Sequence, residues 1–308
     1  MKIMQNVQRS KKGDKTDVLI STDIGSDVDD LFALLFSFKR KEISIRGIST
    51  SGGYALLRTM IIEKILRMTN KNIPICEGEN FSLEGKKFWK SGLEKNYLEG
   101  RVIKLKNTSK NFVSFFEEIS QNKPITILAW APLTNIAKLL LTLQNPSSKI
   151  KKIIWMGGAL SWSKEHNLNS DTKSAEIVFN SIVPLRIIPK ELTHQFFIER
   201  KELLELTKIN NSETLKFLIK RFDEWLRFVE ENKGEFSFEF PPNATFIHDY
   251  LTVASLIKPE LFIFQKMKLK IQDERILEDK KGKLVEVCIG FKDKEKVKKL
   301  LFDTLASL

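Results

Sequence analysis

The stretch that most constrains the fold covers residues 18–36, VLISTDIGSDVDDLFALLF. It begins with apolar residues that suit a buried strand and ends in a dense apolar run that suits a buried helix. Gly25 lies in the elbow between them and allows backbone angles that are closed to other residues. The elbow also contains Asp23, Asp27, Asp29 and Asp30 within eight positions. This strand, acidic elbow and helix favour an α/β fold with its function at the elbow.

The four aspartates lie beside a hydrophobic element, where they cannot all ionise without a compensating charge. A hard cation such as Ca²⁺ would relieve the repulsion, because it binds about six to eight oxygen ligands and prefers carboxylates. Aspartates also cap helix N-termini, and one of Asp27, Asp29 or Asp30 could do only that. Four carboxylates are more than capping requires, so the elbow predicts a metal site.

The composition fits one water-soluble domain. The chain has 308 residues, of which 42% are hydrophobic and 29% charged, which supplies both a core and a polar surface. We expect a loose polar tail at residues 1–15 and a single α/β domain at residues 16–308. No apolar run approaches the roughly 20 residues that span a bilayer, and residues 1–17 lack the apolar centre of a signal peptide. These features predict a cytoplasmic protein with no membrane partner.

The charge distribution argues against a nucleic-acid-binding protein, and the cysteines argue against a disulfide-linked or zinc-binding one. A net charge of +12 could indicate nucleic acid, but the lysines are spread along the chain and mixed with acidic residues, as in DKEKVKK. We therefore expect no nucleic-acid partner. Cys76 and Cys288 lie in apolar, strand-like segments, which predicts reduced core thiols rather than a disulfide or a zinc site.

Strand-like and helix-like segments alternate along the chain, which predicts βαβ units and a mainly parallel central sheet flanked by helices. The predicted strands are residues 43–50, 73–76, 125–130, 153–156, 183–188, 267–272 and 284–290. The predicted helices are residues 55–68, 112–121, 131–141, 174–180 and 212–232, with others beginning near residue 248 and at residue 294. Residues 77–106 have little periodicity and are interpreted as a long surface excursion that could cover a site.

Ligands of parallel sheets bind beyond the carboxyl ends of the strands. Asp23, the pair Gly52-Gly53, Trp130 and the pair Gly157-Gly158 each follow a predicted strand. We expect these segments to meet at one edge of the sheet, although they are far apart in the sequence.

Six segments, in order, resemble the inosine/uridine-preferring nucleoside hydrolases, a family of Ca²⁺-dependent ribonucleoside hydrolases. The segments are DIGSDVDDLFAL, APLTNIA at 131–137, MGGA at 156–159, EHNLNSD at 165–171, ELTHQ at 191–195 and HDYLTVA at 248–254. The resemblance covers about residues 18–259, and the ordered set is far more specific than any one segment. It implies hydrolysis of the N-glycosidic bond of a ribonucleoside to ribose and free base, by a homodimer or homotetramer.

The resemblance also implies a Ca²⁺ ion that holds the attacking water and the ribose 2′ and 3′ hydroxyls. Its protein ligands would be Asp23, Asp30, the carbonyl oxygen of Trp130 and Asp249. Asp23 would take the proton of the water as general base, and His248 would assist the departing base.

Three residues would bind the sugar by the same resemblance. Asp29 would bind a ribose hydroxyl, Glu165 the 5′ hydroxyl and Asn167 the 3′ hydroxyl. The aromatic residues of the base pocket are not identified by the sequence, and the candidates are Trp162, Phe222, Trp225 and Phe228. Such residues can equally be core, so the choice between purine and pyrimidine stays open.

The sequence departs from the family pattern at several positions. Ser21 stands where the family often has Asp, and two extra residues in the elbow mean that Asp27 could replace Asp29. Tyr54 stands where the family typically has an Asn that touches the sugar, and His166 replaces a Phe. These departures leave room for a modified nucleoside substrate.

Three alternatives follow from the residues. A catalytically weak or inactive nucleoside- or sugar-binding protein could share the fold. A 5′-phosphorylated nucleoside could be the substrate, with Lys164 as a contact. A haloacid-dehalogenase-like phosphatase needs a nucleophilic Asp two residues before its acid, and Ser21 occupies that place, which argues against this class.

Overall fold

A computed structural model describes residues 15–106, 108–161, 164–236 and 238–308. Most of the predicted tail and Trp162 therefore lie outside the described residues. The strands of the described part are β1 Thr16–Thr22, β2 Ile43–Thr50, β3 Ile75–Cys76, β4 Thr108–Ser109, β5 Ile125–Ala129, β6 Ile150–Met156, β7 Leu185–Ile188, β8 Phe197–Glu199, β9 Ala244–Phe246, β10 Phe262–Gln272, β11 Arg275–Glu278 and β12 Lys283–Phe291.

The helices of the described part surround these strands. They are α1 Asp29–Phe38, α2 Ala55–Met68, α3 Phe112–Ile119, α4 Thr134–Thr142, α5 Pro146–Lys149, α6 His166–Ser170, α7 Thr172–Asn180, α8 Lys190–Thr193, α9 Arg200–Leu206, α10 Glu213–Glu231, α11 Tyr250–Ile257 and α12 Lys294–Leu305. None of the described helices is long and apolar enough to cross a membrane.

Ten of the described strands form one sheet in the order β11-β10-β12-β7-β6-β5-β1-β2-β3-β4. From β12 to β4 the neighbouring strands are parallel, whereas β10 pairs antiparallel with both β11 and β12. Strands β8 and β9 form a separate antiparallel pair. The predicted α/β fold with a mainly parallel sheet is confirmed.

The sheet divides the core into two layers because successive side chains of a strand point to opposite faces. In β1, Val18 and Ile20 belong to one buried cluster with residues of α1, α2, α10, α11 and α12. Leu19 lies between them and belongs to the other cluster, with residues of α3, α4 and α7. Strand β1 is therefore buried on both faces, as its continuous apolar run predicts.

Residues 77–106 are more integrated than the sequence predicts. They include a short 3₁₀ helix, Leu93–Leu98, and the side chains of Phe88, Glu94, Tyr97 and Leu98 are buried. The interpretation as a surface excursion is therefore wrong for these four residues. Their contacts join them to distant parts of the chain, which local periodicity cannot show.

Candidate active site

A cavity of about 520 Å³ opens at the carboxyl edge of the sheet. The neighbouring strands β6, β5, β1 and β2 are parallel and end there together. The cavity is lined by all eight residues that the sequence predicts for the site: Asp23, Asp29, Asp30, Trp130, Glu165, Asn167, His248 and Asp249. The sheet thus brings together side chains from four distant parts of the chain.

The acidic elbow forms one wall of the cavity. Carboxylate oxygens of Asp27, Asp29 and Asp30 lie within 4.8 Å of one another, and Asp23 and Asp249 line the same cavity. Asp27 is thus a member of the cluster, which the sequence left open. A concentration of carboxylates of this kind suits a hard, oxygen-loving cation.

Burial raises the pKa of every carboxyl in the cluster. Desolvation is the largest cause for each, and repulsion between the neighbouring carboxylates adds to it. The pKa rises to about 6 for Asp23, where Arg58 and His166 oppose the change, and to about 6 for Asp29, where a hydrogen bond from Asp27 opposes it. The pKa of Asp27, Asp30 and Asp249 is raised well above the usual value for an aspartate. Further positive charge close to these groups would favour their carboxylate forms.

The elbow is shaped by local hydrogen bonds. The hydroxyl of Thr22 donates to a carboxylate oxygen of Asp30, and the backbone N–H of Ile24 donates to the Thr22 oxygen at 3.2 Å. A carboxylate oxygen of Asp29 accepts from the N–H of Asp30 at 3.0 Å. Gly52 has a φ of +76°, and a Cβ there would lie 2.7 Å from the Cβ of Asp23. Glycine at this position lets the ends of β1 and β2 approach closely.

Trp130 contributes more than a backbone carbonyl. Its indole N–H donates to Thr252 Oγ1 at 2.7 Å, and the Thr252 hydroxyl donates to the carbonyl oxygen of Asp249 at 2.7 Å. The side-chain amide of Asn167 donates to the carbonyl oxygens of Trp130 and Met156, each at 3.1 Å. These bonds connect the ends of β5 and β6 to the start of α11.

Glu165 acts as the N-terminal cap of α6. Its carboxylate accepts hydrogen bonds from the backbone N–H groups of Asn167, Leu168 and Gly158, at 2.7 to 2.8 Å. A carboxylate has about four acceptor positions, so room for a further donor remains. His166 follows at the exposed rim, where its ring packs edge-on against Trp89 at 5.7 Å.

Two histidines, His194 and His248, also line the cavity. His248 Nδ1 is 2.7 Å from Thr193 Oγ1, and burial lowers the pKa of this histidine to about 3, with His194 and Lys190 adding to the effect. His194 stacks flat on Phe246 at 4.5 Å, and burial lowers its pKa to about 4. Both rings are therefore neutral at neutral pH, and each offers one N–H donor.

An aromatic wall completes the cavity. Its members are Trp89, Trp225, Phe236, Phe238, Phe240 and Phe246. Of the candidates that the sequence offered for the base pocket, Trp225 lines the cavity and Trp162 lies outside the described residues. Phe222 is buried in the core, and Phe228 packs behind the wall against Trp89 and Trp225.

Sequence reasoning missed the phenylalanines of this wall. Phe236, Phe238 and Phe240 alternate with polar residues in a loop, GEFSFEFPP, and this alternation in a segment without other periodicity was the available signal. Tyr54, a departure from the family, does not line the cavity. It is 42% exposed, and the ammonium group of Lys90 lies 3.3 Å from the centre of its ring.

The fold and the site together define an α/β protein with an acidic pocket at its carboxyl edge. A family model described as "Inosine-uridine preferring nucleoside hydrolase" matches residues 18–299. The chain therefore belongs to this family, whose members are hydrolases of the ribonucleoside N-glycosidic bond.

The chain is 26% identical over 285 residues to uridine nucleosidase 1 of Arabidopsis thaliana, covering 84% of this chain and 79% of that protein. It is 27% identical over 261 residues to the pyrimidine-specific ribonucleoside hydrolase RihA of Escherichia coli O81 (strain ED1a), covering 80% of each. The solved structure of a plant nucleoside hydrolase, PpNRh1, superposes with a TM-score of 0.82 at 21% identity, covering 96% of this chain and 100% of that one. This structural likeness supports the fold.

Proposed function

We propose that the protein hydrolyses the N-glycosidic bond of ribonucleosides, giving ribose and free base. The observation that carries the proposal is the meeting of five aspartate carboxylates with an aromatic wall in one cavity. The carboxylates suit a cation and a developing positive charge on the sugar, and the aromatic wall suits the flat face of a base.

The donor set fits Ca²⁺. Asp23, Asp30, Asp249 and the carbonyl oxygen of Trp130 would hold the ion, and its positive charge would oppose the desolvation and mutual repulsion that raise the pKa of the three carboxyls. Bound Ca²⁺ would lower the pKa of a water molecule and orient it for attack. The cation would also favour the ionised form of each carboxyl.

Asp23 would accept the proton of the attacking water. It lies at the end of β1 in the cavity, and as a carboxylate it is a competent base near neutral pH. Asp29, or Asp27 in its place, would accept hydrogen bonds from a ribose hydroxyl. Asp27 and Asp29 hydrogen-bond to each other, so their side chains lie next to each other in the cavity.

Glu165 and Asn167 would hold the far side of the sugar. Both hydrogen bonds of the Asn167 amide described above use its nitrogen, which leaves Oδ1 to accept from the 3′ hydroxyl. The Glu165 carboxylate would accept from the 5′ hydroxyl with its remaining capacity. Asn167 therefore orients both the sugar and the Trp130 carbonyl.

His248 would assist the departing base as a neutral hydrogen-bond partner. Its lowered pKa argues against an imidazolium that gives up a proton at neutral pH, whereas the neutral ring can still hydrogen-bond a ring nitrogen of the base. In this role His248 forms a hydrogen bond to the base and does not transfer a proton to it.

The base itself is proposed from the relatives. The two sequence relatives named above are a uridine nucleosidase and a pyrimidine-specific hydrolase, so uridine is the first substrate to test. A modified or 5′-phosphorylated nucleoside is the second candidate, because Lys87, Lys164 and Lys190 also line the cavity. The cytoplasmic location, the division into a tail and one domain, and the homodimer or homotetramer remain predictions from the sequence.

A paired measurement tests the proposal against the binding-protein alternative. Uridine, cytidine, inosine, adenosine and uridine 5′-monophosphate are offered with Ca²⁺, and release of base is followed beside calorimetric binding. We expect multiple turnovers on at least one ribonucleoside. Binding without turnover across the panel would favour a binding protein and contradict the proposal.

A further inference from the structure

Arg58 is fully buried in the first turn of α2, behind the acidic elbow and outside the cavity lining. Its guanidinium makes five hydrogen bonds, which use all of its N–H groups. Nε donates to the carbonyl oxygen of Gly53 at 2.7 Å, and Nη2 to that of Gly52 at 3.2 Å. Nη1 donates to the carbonyl oxygens of Asp23 and, at 2.9 Å, Ile24.

The fifth bond connects Arg58 to a second buried charge. Nη2 donates to Ser26 Oγ at 2.8 Å, and the Ser26 hydroxyl donates to Glu94 Oε1 at 2.8 Å. Glu94 Oε1 lies 3.7 Å from Arg58 Nη2, and both side chains are completely buried. The backbone of Glu94 also closes the space beside Gly25, where an added Cβ would lie 3.4 Å from the Glu94 Cα.

The Arg58 side chain thus joins the acidic elbow that follows β1 to the segment that follows β2. The segments that follow β1 and β2 each turn their carbonyl groups toward Arg58. A buried carbonyl without a donor costs about 1–3 kcal/mol. This backbone geometry therefore depends on the arginine guanidinium, whose N–H donors have fixed directions in one plane. Lysine, with three donors on a single nitrogen, cannot reach all five acceptors.

We propose that Arg58 is a positioning residue that holds the backbone of residues 23–26 against the end of β2, so that the elbow carboxylates face the cavity in the arrangement that binds the cation. Glu94 fixes Arg58 and Ser26 in this arrangement. The proposal rests on the proposed function for its link to turnover, but its structural part is independent of any substrate.

The test compares Arg58→Met and Arg58→Lys with Arg186→Met as the matched control. Arg186 is also a buried arginine, which bonds Glu286 and the carbonyl oxygen of Ser255 away from the cavity. Hydrogen exchange of a peptide covering residues 18–36 is measured in metal-free protein, below the melting temperature of every variant. Calorimetry gives the Kd for Ca²⁺, and uridine hydrolysis gives kcat and KM.

Both Arg58 variants should show exchange at least tenfold faster in the elbow peptide and Ca²⁺ binding at least tenfold weaker. Where turnover is measured, kcat should fall more than KM rises. Arg186→Met should lose stability and leave all these quantities within twofold. Elbow exchange and Kd unchanged in Arg58→Met, or changed equally in Arg186→Met, would overturn the proposal.

Two milder variants decide the matter if the Arg58 variants do not fold. Ser26→Ala and Glu94→Gln keep Arg58 and weaken the contacts that fix its guanidinium. Each should therefore speed hydrogen exchange in the elbow peptide and weaken Ca²⁺ binding, both about threefold. No change in either variant would overturn the proposal. If wild-type protein binds Ca²⁺ but releases base from no nucleoside, the proposed function fails while exchange and Kd still test Arg58.

Discussion

The side-chain amide of Asn167 donates a hydrogen bond to the carbonyl oxygen of Trp130, with 3.1 Å between the two atoms. The same amide nitrogen also donates to the carbonyl of Met156. Asn167 therefore connects the carboxyl ends of β5 and β6, and it fixes the direction of the carbonyl that we propose as a Ca²⁺ ligand. A carbonyl oxygen has two lone pairs, so it can accept this bond and still bind a cation.

The first prediction concerns this contact. Asn167→Ala removes the side-chain donor of two carbonyl oxygens, and a buried carbonyl left unpaired costs about 1–3 kcal/mol. We expect kcat/KM to fall about tenfold or more and Ca²⁺ binding to weaken. Thr172→Ala is the control and should behave as wild type, because the Thr172 hydroxyl donates to the carbonyl oxygen of Leu168 and does not line the cavity. Equal Ca²⁺ affinity in Asn167→Ala and wild type would show that the Trp130 carbonyl does not need this contact.

The second prediction concerns the proposed base. Asp23→Asn replaces a proton acceptor with an amide of similar size, so kcat should fall by about 10²–10⁴-fold, while calorimetry still detects Ca²⁺ binding. Asp17→Asn, at the amino end of the same strand and paired with Lys123, should retain wild-type turnover. A wild-type kcat in Asp23→Asn would remove this residue as the base.

The third prediction is metal dependence. Without a cation the clustered carboxylates repel one another, so exhaustive chelation should abolish turnover and lower the melting temperature, and added Ca²⁺ should restore both. At a Ca²⁺ concentration of about 100 times Kd the stabilisation is about 2.7 kcal/mol. Melting curves and rates that chelation leaves unchanged would contradict a Ca²⁺ site.

The fourth prediction is a pH dependence from His194. Burial lowers its pKa from 6.5 to about 4, so between these values the unfolded chain binds a proton that the folded protein does not, and stability is lost as the pH falls. His194→Phe keeps an aromatic ring against Phe246 and removes the titration. From pH 7.5 to pH 5 this variant should lose about 1 kcal/mol less than wild type, a figure reduced for the partial exposure of the ring.

Urea unfolding of both proteins at the two pH values measures this difference. Titrating groups distant from His194 are unchanged in the variant, so their contributions cancel in the comparison. His248 is the neighbour that His194 affects, but burial is the largest cause of its lowered pKa and is shared by both proteins. Parallel losses of stability in the variant and the wild type would show that His194 is not held in its neutral form.

The sequence predicts the strongly periodic elements well. The strand at residues 43–50 and the helix at residues 55–68 have the predicted bounds, because continuous apolar runs and helical spacing are local signals. The residues at the carboxyl edge were also predictable, since parallel strands must end together. Membership of the family was predictable from the ordered segments, and the match to residues 18–299 confirms it.

Contacts between distant residues were not predictable. The hydroxyl of Tyr97 donates to the carbonyl oxygen of Asp27 at 3.0 Å, although the segment that contains Tyr97 has no periodicity. Strands β8 and β9 are each three residues long and come from segments far apart in the sequence. Such elements form because the surrounding structure stabilises them, and their own residues carry little preference.

The central claim is that a cation in the acidic pocket holds the ribose hydroxyls during hydrolysis. The most direct measurement compares a ribonucleoside with its 2′-deoxy analogue, such as uridine and 2′-deoxyuridine, by released base in the presence of Ca²⁺. Loss of the 2′ hydroxyl removes a ligand and its share of transition-state stabilisation. The account predicts a kcat at least about 100-fold lower for the deoxy substrate, and equal rates on the two substrates would contradict it.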